Sequence, residues 1–268
     1  MRHKQDSIVK KRKDKTQVPQ NAPAFKTPVF TGAATGIGIR NESSLHAALK
    51  EWYAGPGDQF EQKVDGVIVD LVKTDPATGA LLLVEVQTRN FAAISPKLRK
   101  MSAHHPVRLV YPIPREKWII RITADGELKS RRKSPKRGSP CEVFNELVRI
   151  PGLINEGNFS LEIILIKVEE IWREDGKGSW RRRGTSIIDR KLAGVFERLV
   201  FTRKEDFRIF LPECLPRPFS NKTLAQYLGS SLNIARKTTY CLKKMGVLKE
   251  VGKYGNELLF QDFQDEQD

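Results

Sequence analysis

Asp70, Glu85 and Gln87 are the residues of this sequence best placed to do chemistry, because each stands in or at the end of an apolar run. Residues 67–72 and 80–86 are otherwise apolar, and the segment between them, KTDPATG, holds the Pro, Gly and Asp that reverse a chain. The pattern predicts a β-hairpin. Glu85 and Gln87 are two apart and so share one face of the second strand, with Asp70 able to stand across from them. Burying a carboxylate is costly unless it is paired or binds a metal. Two on facing strands invite a cation.

The elements that must position this hairpin are legible on both sides of it. Residues 41–53 carry Leu45, Ala48, Leu49 and Trp52 at helical spacing, with Asn41 or Ser43 as N-cap and the run AGPG at 54–57 as a stop. Glu42 falls in the first turn of that helix, where the dipole alone favours an acid. A strand over 59–64 leads through Asp65-Gly66, a turn pair, into the hairpin, so Asp65 is the lesser rival of Asp70. After Gln87, residues 91–103 read as a helix with Phe91, Ile94, Leu98 and Met101 on its apolar side, Pro96 an awkward member, and Lys97, Arg99 and Lys100 on it.

Asp70, Glu85-Val86-Gln87 and the flanking helices resemble the PD-(D/E)xK nuclease superfamily, whose fold is restriction-endonuclease-like. The resemblance implies an α/β core of helix, antiparallel β-meander, helix and further strands. It also implies metal-dependent hydrolysis of phosphodiester bonds. Glu42, Asp70, Glu85 and the main-chain carbonyl of Val86 would hold Mg²⁺ or Mn²⁺, and Glu42, Asp70, Glu85, Gln87 and Lys97 would form the catalytic set. Gln87 stands where that superfamily has its lysine, and Lys97, on the following helix, is the replacement the resemblance suggests. The contrary reading is a catalytically inactive nuclease fold that binds DNA or regulates.

Composition agrees with a polyanionic partner: the 268 residues carry a net charge of +15. Nucleic acid is the first expectation. No apolar run approaches a spanning helix, and the N-terminus MRHKQDSIVKKRKDK lacks a signal-peptide core, so a cytoplasmic protein with no membrane partner is expected. Cys141, Cys214 and Cys241 have no metal-ligand spacing and are expected as reduced thiols. Residues 1–26 read as a disordered basic arm. The glycine-rich stretch 29–38, VFTGAATGIG, looks like a dinucleotide fingerprint, but it lacks a buried strand before it and a crossover helix after it. Its matching Tyr-x-x-x-Lys occurs only at Tyr240 and Lys244, far too late, so a dehydrogenase is the weakest reading.

The nuclease-like core is assigned to 27–138, with further strands at 107–113 and 117–123. His104-His105 reads as a loop cap. The run KSRRKSPKR at 129–137 reads as a basic loop in which Arg132 and Lys133 could follow a phosphate backbone, with Trp118 near enough to stack a base, although a solvated loop is the safer reading for that Trp. Residues 139–215 are expected to be a mixed α/β connecting region packed on the core, with helical pieces at 142–149 and 191–199, a buried strand at 159–168 and a basic turn at 180–184.

Pro216-Arg217-Pro218 marks a boundary, and 216–261 follows as helix, turn, second helix and hairpin. This resembles a winged helix-turn-helix domain, which implies that Arg236, Lys237 and Lys253 contact DNA. Residues 262–268 read as an acidic tail. A nuclease core followed by a winged helix resembles the layout of TnsA-type transposon endonucleases. Paired cuts would need a homodimer or a partner protein.

Overall fold

A computed structural model describes residues 43–178, 180–182 and 184–263 of the chain. The glycine-rich stretch at 29–38, the basic arm and Glu42 lie outside the described residues. Helix α1, Ser44–Tyr53, buries Leu45, Leu49 and Tyr53 at four-residue spacing. β1, Gln59–Val64, and β2, Val67–Thr74, form an antiparallel hairpin whose loop is Asp65-Gly66, both at positive φ. That two-residue loop is the kind whose twist matches the strands, and it fixes Asp65 as a turn residue. β3, Leu81–Val86, returns antiparallel to β2, and α2, Phe91–Ser102, follows.

β4 spans Val107–Ile122 as one strand of 16 residues, where two shorter strands were expected. In place of the gap expected over 114–116, the β4–β6 ladder carries a register shift between Pro114 and Glu116. An irregularity of that kind tolerates the missing N–H without ending the strand. β5, Leu128–Lys133, pairs antiparallel with β4, so the basic run begins as a strand rather than a loop. After a 3-10 turn at Pro140–Val143 and the short helix α3, Phe144–Leu147, comes β6, Phe159–Glu174. Its first eight residues are all buried, as a strand covered on both faces must be.

β7, Thr185–Phe201, corrects the helix expected over 191–199. Leu192, Val195 and Leu199 are spaced like a helical stripe, but the β6–β7 ladder shifts register at three places. Each shift breaks the alternation of a strand and so imitates a longer period. The apolar edge of β6 needs a partner, and that demand overrides local preference.

The molecule is therefore mixed α/β, with a seven-stranded sheet in the order β1-β2-β3-β4-β6-β7 and β5 attached to β4. β3, β4 and β6 are parallel and the remaining neighbours antiparallel. One face is covered by α2 and α3, with Leu83, Phe91, Leu98, Leu109, Phe144 and Leu161 in the core between them. The other face packs Val84, Val86, Val110 and Ile164 against Leu45 and Leu49 of α1. Burying such a side chain stabilises by about 2 kcal/mol.

A buried charge holds α1 in place. Glu162 on β6 is fully buried and accepts from Arg198 on β7 and, at 2.6 Å, from the Tyr53 hydroxyl, with Arg108 3.6 Å away. Burial and then the Glu162 charge push the Tyr53 phenol up to about 12.

The C-terminal segment adds a three-stranded sheet of β8, Phe219–Ser220, β9, Leu248–Tyr254, and β10, Glu257–Asp262, with helices α4, Asn221–Tyr227, and α5, Leu232–Met245. Ser220 and Ser231 cap the two helices, each accepting at 3.3 Å from the N–H three residues on. Gly246, at φ +79°, ends α5. Ala235, Leu242 and Met245 of α5 share one core with Phe207 and Phe210. Asp262, read from the sequence as the start of the acidic tail, is held in place: Arg217 reaches it at 3.2 Å, and the neighbouring Phe263 N–H donates to the Val247 carbonyl at 2.8 Å.

Candidate active site

The β2–β3 ladder runs from Thr74↔Leu81 to Leu71↔Val84 and stops one pair short of Asp70 and Glu85. Their side chains take over where the backbone ladder ends. The Asp70 N–H donates to Glu85 Oε1 at 3.3 Å, and the Val86 N–H donates to Asp70 Oδ2 at 2.9 Å. β3 meanwhile stays paired to β4, and the Gln87 N–H donates to the Val110 carbonyl at 2.9 Å. The parting of β2 from β3 thus opens a notch in the sheet, with both carboxylates at its edge.

Two helices close on that notch from opposite faces. From α2, the Lys97 ammonium pairs with Glu85 Oε1, and Glu85 is only 2% exposed. From α1, His46 Nε2 lies 2.7 Å from the Val86 carbonyl oxygen and 3.3 Å from Asp70 Oδ2. A carbonyl only accepts, so Nε2 carries the hydrogen. His46 was missed by a reading that sought an acid on α1. The signal was present, since a titratable ring beside the buried Leu45 and Leu49 sits on the margin of the face that meets the sheet.

The two carboxyls are driven apart in acidity. Burial, then the negative charge of Asp70, push Glu85 up to about 7 against the pull of Lys97. Burial also raises Asp70, but the hydrogen bonds from His46 and Val86 N–H and the charge of Lys97 outweigh it and hold Asp70 below the usual carboxylate range. This is crowding of negative charge in a poorly solvated place.

Of the expected catalytic set, Asp70, Glu85 and Lys97 are brought together, and Val86 presents its carbonyl to the same notch. Gln87 turns aside, its amide donating to the Arg89 carbonyl. His105 pairs with Asp65 at 2.7 Å, a contact between the β1–β2 turn and the loop after α2. Among the described residues, no group of three or more His, Cys, Asp and Glu is arranged to hold a metal ion. What the notch offers is two carboxylates and a carbonyl, oxygen donors suited to a hard cation, with a mutual repulsion that a cation would relieve.

The basic residues expected at nucleic acid are scattered over the surface. Arg132 and Lys133 are exposed on β5, with Lys133 paired to Glu116. The Trp118 ring carries the Arg131 guanidinium 4.0 Å from its centroid, so that face of the indole is covered. Arg236 is exposed on α5 and Lys253 on β9. Lys237 donates to Asn145 Oδ1 at 2.8 Å. Asn233, Tyr240, Lys243 and Lys244 join Arg236 on the exposed side of α5. Cys141, Cys214 and Cys241 are free thiols, and among the described residues no helix is long and apolar enough to cross a membrane.

A family model described as a domain of unknown function (DUF8091) matches residues 43–202. The chain belongs to that family. The matched segment begins at α1 and ends after β7, so it holds the whole large sheet and every residue of the notch. An uncharacterized protein of Treponema pallidum (strain Nichols) is 33% identical over 225 residues, which is 84% of this chain and 87% of the relative. That aligned length exceeds the family segment, so the likeness extends outside it. No solved structure matches.

Proposed function

We propose that this protein is a metal-dependent endonuclease that hydrolyses phosphodiester bonds in DNA, built on a restriction-endonuclease-like core with a winged helix-turn-helix after it. The observation that carries the reading is the pairing of Lys97 with Glu85, beside Asp70 and the Val86 carbonyl. An ammonium from the following helix supplies the charge that Gln87 lacks. The order helix, three-stranded meander, helix, parallel strand supports the same reading. So do the net charge of +15 and the basic exposed side of α5.

Asp70, Glu85 and the Val86 carbonyl would hold Mg²⁺ or Mn²⁺. Such an ion, when bound, lowers the pKa of a water and offsets charge growing on the scissile phosphate. The chain's own residues do the positioning. Lys97 keeps Glu85 oriented and sets a positive charge where the phosphate oxygens gather charge. His46 holds the Val86 carbonyl and Asp70 in register across the notch. Metal-dependent cutting that is lost in Asp70→Ala and in Glu85→Ala, with DNA binding kept, tests the proposal.

A second reading, a nuclease fold that binds DNA without cutting it, draws on the Gln87 amide turned to Arg89. It also draws on His46 Nε2, set between the two oxygens that a cation would share. DNA bound in a salt-dependent way with no cutting under any metal would favour it.

A further inference from the structure

β4, β5, β6 and β7 run on well past the notch, and their far end carries a second polar site. Val110 and Arg121 lie on one strand, at most about 36 Å apart if it ran straight. Along this extension basic side chains are matched to acids: Lys117 and Arg190 to Glu170, Arg131 to Glu169, Lys129 to Glu174, Lys133 to Glu116. The matching fails at its end. There Arg121, Arg132, Arg181 and Arg182 line a cleft of about 550 Å³ together with Trp172 and Glu174.

Among the described residues none of these four arginines has a carboxylate partner. Glu174 is already engaged by Lys129 at 2.7 Å. Arg121 Nε is buried with no hydrogen-bond partner, a donor whose desolvation goes uncompensated until an acceptor arrives. Its guanidinium lies 5.8 Å from the centre of the Trp172 ring. Gly176 and Gly184, both at positive φ, let two chain segments approach there, since a Cβ on Gly184 would come within 3.3 Å of Gly176 Cα.

We propose that this cleft binds the phosphate of a nucleotide, with Arg121, Arg132 and Arg182 on the phosphate oxygens and Trp172 beside the base. Guanidinium groups match phosphate geometry in pairs, and an indole offers a stacking face. The volume suits a ligand of nucleotide size. The nucleotide is either free or the 5′ end of a strand, and the chemistry at the cleft is the same. The site does not rest on the nuclease reading, because none of its residues touches the notch.

The test uses the full chain in EDTA, so that no strand is cut. Binding of nucleoside monophosphates, and of short oligonucleotides with and without a 5′-phosphate, is followed by tryptophan fluorescence and by competition. Arg132→Ala and Arg182→Ala are compared with the parent and with Lys63→Ala, an exposed lysine on β1, and thermal unfolding confirms that each variant is folded. A free nucleotide source gives saturable binding of the monophosphate. A strand source gives tighter binding of the 5′-phosphorylated oligonucleotide than of the unphosphorylated one, and no saturable binding of the monophosphate. In either case Arg132→Ala and Arg182→Ala each weaken it about tenfold, the loss of one charge-assisted contact, and Lys63→Ala leaves it unchanged. Absence of both kinds of binding, or binding that the two cleft variants leave unaltered, overturns the proposal.

Discussion

His46 Nε2 stands 2.7 Å from the Val86 carbonyl oxygen and so ties α1 to the last residue of β3. The same nitrogen lies 3.3 Å from Asp70 Oδ2, and that contact helps keep Asp70 ionised. His46→Ala is expected to let the Asp70 pKa rise. If Asp70 acts as an ionised ligand, the acid limb of the pH–rate profile then moves to higher pH. An unmoved limb would separate His46 from the chemistry.

Lys97 and Glu85 give a stability prediction whose sign depends on pH. Glu85 is held up at about 7 in the folded protein, against an ordinary value of 4.5. The folded state therefore binds the proton more tightly, and stability falls as pH rises from about 4.5 through about 7. Below that range Glu85 is neutral and Lys97 has little to stabilise. Above it, Lys97→Met leaves a buried carboxylate unpaired and is expected to cost about 3 kcal/mol. Urea unfolding at pH 5 and pH 8 checks this, and equal losses at both would refute the pairing as drawn.

The same raised acidity predicts a pH-dependent metal effect. A cation must displace the proton from Glu85, so Mn²⁺ is expected to raise the melting temperature more at pH 8 than at pH 6. Glu85→Gln should lose the difference. A shift that is independent of pH and persists in Glu85→Gln would place the ion elsewhere.

Much of the notch was legible because its residues lie within one short hairpin. An acid in an apolar strand is conspicuous, so Asp70 and Glu85 stand out, and a turn fixes their register. Lys97 was legible as a charge on the next helix. His46 was legible only as a titratable ring on the margin of a buried face, since its partner is a backbone carbonyl forty residues away that no side-chain pattern announces. At β7 the sheet was misread for a related reason. β7 owes its form to β6, and the shifts between them erase the alternation that identifies a strand. Nothing in the sequence marks Arg121, whose lack of an acid appears only when every neighbouring pair is laid out in space.

Tyr53 and Glu162 bear on how firmly α1 presents His46. The Tyr53 hydroxyl donates at 2.6 Å to a fully buried carboxylate, so Tyr53→Phe should cost about 2 kcal/mol in urea unfolding. A neutral result would mean that Arg198 and Arg108 satisfy Glu162 unaided.

We propose that Asp70, Glu85 and Lys97 form a phosphodiester-cleaving site. Its most direct test is incubation of the purified protein with supercoiled plasmid in Mg²⁺, in Mn²⁺ and in EDTA, beside Asp70→Ala. Nicking that requires metal and disappears in Asp70→Ala is the expected result. Nicking that survives Asp70→Ala, or plasmid left intact in both metals while still shifted on a gel, would contradict it.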